Sequence, residues 1–255
     1  MTQKQQVKRM SKAELAEAVE IAEELRTRQA RKKWLTFYPP GGVLGRNKYP
    51  KHLASFYAGK KYRQRCVCAA NRVGKSEGIG AYEASLHLTG EYPDWWPGRK
   101  FNRAVSMWCA GDTGKTVRDI LQKKLLGPFG NFGTGMIPGA AIEGTSPKHG
   151  LPEAVEIIRV KHVSGASSIC TLKSYDQRRE AFQGTEQDFI WLDEEPDADI
   201  YGECLMRIMT TQGSLLLTFT PLKGVSEVVK SFMPHLGEPD RKVLDVNERM
   251  SNGRF

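Results

Sequence analysis

No apolar run in the 255 residues approaches the roughly 20 that a membrane-spanning helix needs. The opening MTQKQQVKRMSKAEL has no apolar stretch behind its basic residues, so no secretory signal is read there. The five cysteines form no CxxC pair, and no His stands at zinc-ligand spacing, which excludes a disulfide framework and the common zinc sites. Cys66 and Cys68 alternate on a predicted strand, where packing is their expected role. A cytosolic, non-membrane protein in a reducing compartment is therefore expected. With 40% hydrophobic and 26% charged residues, the composition excludes disorder as well.

Acid is scarce at one end. Residues 1–65 hold 16 Lys and Arg against 5 Glu, whereas the other 190 hold 22 against 24 acids. The whole net charge of +9 thus lies ahead of the first predicted strand. A cationic arm on a near-neutral body suggests an anionic partner, nucleic acid first; a solvated N-terminus is the plainer alternative.

Residues 11–33 read as a helix. Ser11 and Glu14 have capping-box spacing, and Leu15, Val19, Ala22 and Leu25 share one face. Its cationic end, Arg28 to Lys33, suits a helix C-terminus, and Pro39-Pro40-Gly41-Gly42 breaks the chain. This predicts an N-terminal helical arm over 1–36, a main domain over 37–235 and a tail over 236–255. Within the main domain, strands are predicted at 64–70, 104–110, 188–193 and 214–220, and helices at 75–88, at 116–126 and after Gly224. Segments 155–162 and 167–174 read as a hairpin. The Gly/Pro-rich 127–152 reads as a surface loop. Strands alternating with helices predict the α/β class with a mostly parallel sheet.

Two segments end in Gly-Lys-Ser/Thr after a predicted strand: Ala69-Ala70-Asn71-Arg72-Val73-Gly74-Lys75-Ser76 and Cys109-Ala110-Gly111-Asp112-Thr113-Gly114-Lys115-Thr116. Such a loop cradles phosphates with backbone N–H groups, reaches the β/γ oxygens with its Lys and offers its hydroxyl to Mg²⁺. Neither has the usual leading Gly, and the tripeptide alone arises by chance in about one chain in ten of this length. Asp112 puts a carboxylate where a phosphate must sit, whereas Arg72 adds a cation. That favours Ala70–Ser76, with Lys75 as the phosphate lysine.

Such a site needs a second strand ending in a metal-holding carboxylate, and hydrolysis needs another to activate water. Phe189-Ile190-Trp191-Leu192-Asp193-Glu194 offers both, with Asp193 holding Mg²⁺ through water and Glu194 as general base. Thr218 and Thr220, at alternate positions before Pro221, share one face of the last strand end, within reach of the γ-phosphate or its water. A plain strand stop at Pro221 is the alternative.

Together AANRVGKS (69–76), HLTGEYPDWWPG (87–98), SYDQRREAFQG (174–184), WLDEEPDADIYGE (191–203) and LTFTPLKGVSEVV (217–229) resemble the motor domain of the large terminase subunit of tailed double-stranded DNA bacteriophages, in its short-tailed, headful-packaging branch. The resemblance covers about residues 45–230. It implies a P-loop NTPase of the additional-strand (ASCE) type, with ATP and Mg²⁺ as cofactors. Matching motifs put the loop Ala70, Asn71, Arg72, Val73, Gly74 and Lys75 on the nucleotide, Ser76 and Asp193 at Mg²⁺, Glu194 at the attacking water and Thr218, Thr220 and Pro221 in the coupling motif. Arg72 matches the loop residue near the γ-phosphate, and His52 stands where an adenine-side Gln is usual. Gln183 occupies the place of an arginine presented by a neighbouring subunit; Arg178 and Arg179 are the nearest substitutes, and Arg179 is the candidate. The implied partners are double-stranded DNA held through its phosphates, a portal protein, a small terminase subunit and further copies in a ring, commonly of five, in the infected host's cytoplasm. Because the sequence stops at Phe255, where large terminases continue into a nuclease, no nuclease activity is expected of these residues. The rivals are a non-hydrolysing DNA- or portal-binding module and a nucleoside kinase. Trp95 and Trp96 are expected to anchor against the core; a DNA-facing loop tip is the alternative.

Overall fold

The computed structural model describes residues 11–12, 14–19, 21–22, 33–42, 45–221 and 226–233. The predicted tail and most of the predicted arm, including Leu25, Arg28, Arg31 and Lys32, lie outside them. The arm's start follows its sequence signal. Ser11 N donates to Glu14 Oε2 (2.7 Å) and Glu14 N to Ser11 Oγ (3.3 Å), the reciprocal bonds of a capping box, and helix follows. Leu15 and Val19 on its apolar face are exposed. Residues 33–36, grouped with the arm on sequence, pack on the body: Trp34 is buried in its core, and Lys33 pairs with Glu77.

Seven strands form one sheet: β1 (Gln64–Cys68), β2 (Ser106–Gly111), β3 (Ile142–Pro147), β4 (Val155–Lys161), β5 (Ser167–Ser174), β6 (Phe189–Asp193) and β7 (Ser214–Phe219), in the spatial order β1-β7-β6-β2-β5-β4-β3. The first five in that order pair in parallel, and β4 and β3 add an antiparallel edge. The predicted hairpin is β4–β5. Strand β3 departs from the predicted loop at 127–152, in which Met136 and Ile137 are also buried. Its sequence, IEGTSP, alternates half-buried with exposed residues, and its Gly and Pro are tolerated because it is an edge strand with irregular register.

Parallel strands covered on both faces read as continuous apolar runs, and β6 and β7 do. Side chains alternate between faces. Phe189, Trp191 and Leu216 enter one core, under the helix that follows β1; Ile190, Leu192, Leu215, Leu217 and Phe219 enter the other. The first core holds Trp34, Tyr38, Phe56 and Tyr82, with Trp95 stacked on Tyr82 and Trp96 buried against Phe56. The tryptophan pair is thus anchored, as expected. The second lies under α3 (Ala198–Arg207) and α4 (Glu227–Phe232), the latter being the helix expected after Gly224. Helix α1 (Pro50–Lys61) has Pro at its start, where a missing N–H costs nothing. The helix after β1 opens with wide turns at Lys75–Ala81, continues as α2 (Tyr82–Thr89) and stops at Gly90, whose φ of 73° suits the residue just past a helix end.

A buried polar network ties α1, β1 and α2 together. Arg65 donates to the Ser55 carbonyl (2.7 Å) and pairs with Glu83, which His87 also contacts (3.2 Å). Burial alone would raise the Glu83 carboxyl, but Arg65 and His87 outweigh it and hold it below the usual range. Burial lowers His87, so its ring is neutral. Removing one member of a buried pair strands the other. Glu83→Ala is therefore expected to cost about 3–5 kcal/mol in a urea unfolding curve, whereas exposed Glu227→Ala should stay within about 0.5 kcal/mol; equal midpoints for the two would contradict this role.

Candidate functional site

Strand β7 lies between β1 and β6, so the ends of three parallel strands deliver one loop, one acidic pair and one hydroxyl pair to the same edge of the sheet. After β1, residues 69–74 turn sharply. Gly74 has φ 88° and Arg72 φ 63°, a left-handed value that disfavours side chains other than Gly, Asn or Asp. Ala70, Asn71, Arg72 and Val73 are exposed. Lys75 is buried, and its Nζ donates to the carbonyls of Ala69 (2.8 Å) and Ala70 (2.7 Å) and to Thr220 Oγ1 (2.9 Å), so each of its three protons has an acceptor. Thr220 in turn donates to Asn71 Oδ1 (2.7 Å).

One residue on, Ser76 Oγ donates to Asp193 Oδ1 (2.8 Å). Asp193 and Thr218 are register partners across β6 and β7, and the Thr218 hydroxyl donates to the same oxygen (2.7 Å). Burial pushes the Asp193 carboxyl up to about 6, against the pull of these two bonds. Glu194 is exposed, with φ 65°. Its N–H donates to the Thr218 carbonyl (2.8 Å), and its own carbonyl accepts from Tyr175 Oη (3.0 Å), which also reaches the Asp193 carbonyl (3.1 Å). The donor set fits Mg²⁺: a hydroxyl and a carboxylate, both hard oxygens, are what a hydrated Mg²⁺ shared with phosphates takes from a protein. Among the described residues no group of three His, Cys, Asp or Glu is placed to hold a metal.

The two sequence-matched hydroxyls part company. Thr218 is buried against Asp193, while Thr220 faces Lys75 and the loop; Pro221 follows, exposed. Beside the loop lies a cleft of about 500 Å³ lined by Phe37, Tyr38, Tyr49, His52, Arg72 and Gly74. Burial lowers the His52 pKa, against the pull of its bond to Val73. Its Nε2–H donates to the Val73 carbonyl (3.0 Å), and Nδ1 lies 2.7 Å from Tyr38 Oη, which donates its own proton to the Gly78 carbonyl (2.7 Å). Both ring nitrogens are thereby used within the protein. Arg179 Nε donates to Glu203 on α3 (3.1 Å); Arg178 and Gln183 are exposed, and Arg178 has φ 61°.

The second Gly-Lys-Thr is occupied from within. Thr113 and Thr116 cap each other, the Thr116 hydroxyl donates to the Thr113 carbonyl (2.9 Å), and Gly114 N donates to Asp176 Oδ2 (3.0 Å). A carboxylate of the chain already takes the N–H that a phosphate would need. Sequence reasoning missed Asp176, Tyr175 and Trp191; the period of two along β6 places Trp191 on the face of Asp193, whereas nothing local marks the other two.

A glycine-bearing loop with a buried lysine, a hydroxyl meeting an acid, and one strand set between the two strands that carry them define a P-loop NTPase fold of the additional-strand class. Within that class the chain belongs to the large terminase subunits. Residues 66–249 match the family described as "Terminase large subunit, T4likevirus-type, N-terminal". Over 215 residues the chain is 35% identical to the large terminase subunit of Salmonella phage P22, covering 76% of this chain but 43% of that protein. It therefore spans less than half the length of that relative. Similar solved structures include the large terminase ATPase domain of Thermus phage P74-26, at 17% identity and a TM-score of 0.43 with 68% of each chain covered. Another is the large terminase of a thermophilic bacteriophage in complex with ADP, at 14% identity and a TM-score of 0.44, with 88% of this chain and 48% of that one covered.

If the segment at 113–116 is only a capped helix start, Asp176→Ala should lower stability by about 1 kcal/mol and leave nucleotide affinity unchanged. Lys115→Ala should also leave it unchanged. Thermal unfolding and fluorescent-nucleotide titration measure the two effects, and loss of nucleotide binding in either variant would contradict the assignment.

Proposed function

We propose that the chain is the ATP-driven motor region of a terminase, coupling Mg²⁺-ATP hydrolysis to movement of double-stranded DNA into a viral procapsid. The observation that carries this reading is the meeting of Ser76 with Asp193, one residue from exposed Glu194 and one residue from Lys75. Membership of the terminase family supplies the biological setting.

In this reading the N–H groups of residues 70–76 take the ATP phosphates, and Lys75 exchanges its carbonyl partners for phosphate oxygens. The base lies in the cleft beside His52 and Tyr49. Ser76 and Asp193 would hold Mg²⁺, which would supply positive charge to offset that of the phosphates. Glu194 takes a proton from a water that attacks the γ-phosphorus; the bond to the bridging oxygen breaks, leaving ADP and phosphate. Arg72 lies on the loop near the γ-phosphate. Thr220, bonded to both Lys75 and Asn71, is placed to pass their rearrangement into the segment after Pro221.

The motor occupies residues 37–235, preceded by the basic arm and followed by the tail at 236–255. The reading includes a ring of copies, five by family precedent, on a portal, a small terminase subunit that selects DNA, and work in the host cytoplasm. DNA contacts go mainly to phosphates, since a packaging motor must move any sequence, and the arm's cations are one surface for them. Arg178 or Arg179 acts at a neighbour's site; Arg179 must first leave Glu203.

The test is phosphate release from Mg²⁺-ATP at high protein concentration, with and without double-stranded DNA. Because a general base contributes about 10²–10⁴ in rate, Glu194→Gln is expected to lose at least about a hundredfold in turnover while still binding nucleotide. Turnover equal to wild type would overturn the assignment.

A further inference from the structure

Trp191 is the largest fully buried side chain among the described residues, and it lies beside the buried acid of the site. It stands two residues before Asp193 on β6, so both side chains leave the same face of the sheet, toward the helix that begins at Lys75. That helix makes room for the indole with a glycine: a Cβ at Gly80 would lie 2.1 Å from the Trp191 ring. A ring admitted so closely, with a polar edge, has to find that edge a partner. The indole Nε1–H donates to Thr218 Oγ1 at 2.8 Å.

The direction of this bond fixes the next one. An indole N–H can only donate, so Thr218 Oγ1 must accept, and its single proton is left for Asp193 Oδ1 at 2.7 Å. Ser76 donates to the same Oδ1, and the described residues give Oδ2 no hydrogen bond. The carboxylate is thereby held by one oxygen with the other left over. Of its two donors, Ser76 is itself a metal-ligand candidate, whereas Thr218 is buried behind the acid and is kept in its donor orientation by Trp191.

We infer that Trp191 is a positioning residue for the metal-holding carboxylate: its indole N–H locks the Thr218 hydroxyl as a donor to Asp193 and so presets Asp193 to take Mg²⁺ with nucleotide. The inference rests on the proposed role of Asp193. It assigns Thr218 to holding that acid, and leaves contact with the phosphate lysine to Thr220. Partners that orient a ligand in this way typically contribute about 10–100-fold to metal affinity.

The experiment uses the full chain and a methylanthraniloyl-ATP probe, titrated across Mg²⁺ concentrations and in EDTA. Trp191→Phe keeps an aromatic ring and loses the N–H; Thr218→Val keeps the shape and loses the hydroxyl, and decides the matter should Trp191→Phe fail to fold. Both are expected to raise the Mg²⁺ concentration for half-maximal tightening by about tenfold, with affinity in EDTA unchanged. Thr218→Ser, which restores a hydroxyl, should return toward wild type. Asp193→Asn, run alongside, should lose the Mg²⁺-dependent gain altogether. Wild-type Mg²⁺ dependence in the Trp191 and Thr218 variants, with the gain lost in Asp193→Asn, overturns the inference and leaves the reading of Asp193 standing. Retention of the gain in Asp193→Asn overturns both. An equal loss of affinity in EDTA and in Mg²⁺ marks Trp191 as packing only, and also overturns it.

Discussion

A buried carboxylate must be paid for by hydrogen bonds, and the placement of Asp193 organises everything around it. The acid lies at the end of β6, in register with Thr218 on β7, and receives donors from Thr218 and from Ser76 at the start of the helix after β1. Its satisfaction therefore requires three strand ends to arrive together, in the order β1-β7-β6. Slipping either strand by one residue would turn Asp193 or Thr218 to the opposite face, strand the acid, and reverse every apolar side chain between the two cores. Fold and site are specified by the same register.

The same constraint extends to the loop and its flank. Lys75 closes the loop on its own carbonyls and on Thr220, so the proposed phosphate lysine and the end of the last strand are already in contact. On the outer side, Tyr38 and His52 brace the Val73 carbonyl and the Gly78 turn, and Lys33 and Lys124 share Glu77 on the helix after β1. The segment just before α1 thereby becomes a wall of the cleft. On the other flank, Tyr175 grips the carbonyls of both acids, and its neighbour Asp176 caps the helix at Gly114, so the arginine-bearing loop after β5 is mechanically joined to the acidic pair.

Much of this was legible in the sequence because it is written in short-range patterns. Unbroken apolar runs marked β6 and β7, a glycine turn marked the β4–β5 hairpin, and the Ser11–Glu14 spacing marked a cap. The two Gly-Lys-Ser/Thr segments differ in local charge, Asp112 in one against Arg72 in the other, which favours the first. What escaped depends on long-range contact. Strand β3 is an edge strand whose Gly and Pro imitate a loop. Helix α1 draws its stability from packing that no local periodicity announces. Asp176 lies 62 positions from the Gly114 it caps. His52 stands where a base contact was expected, yet both its nitrogens serve Val73 and Tyr38. Thr218 and Thr220 share a face, as their spacing requires, but only the register with β6 reveals that one serves the acid and the other the lysine.

The central claim is that loop 70–76, and not 113–116, joins the end of β7 in a single nucleotide site. Hydrogen exchange of the backbone amides, measured with and without Mg²⁺ and a non-hydrolysable ATP analogue, tests it most directly. The account predicts slower exchange at residues 70–76 and 218–220, with none of the change at 113–116. Protection at 113–116 with residues 70–76 unaffected would contradict it.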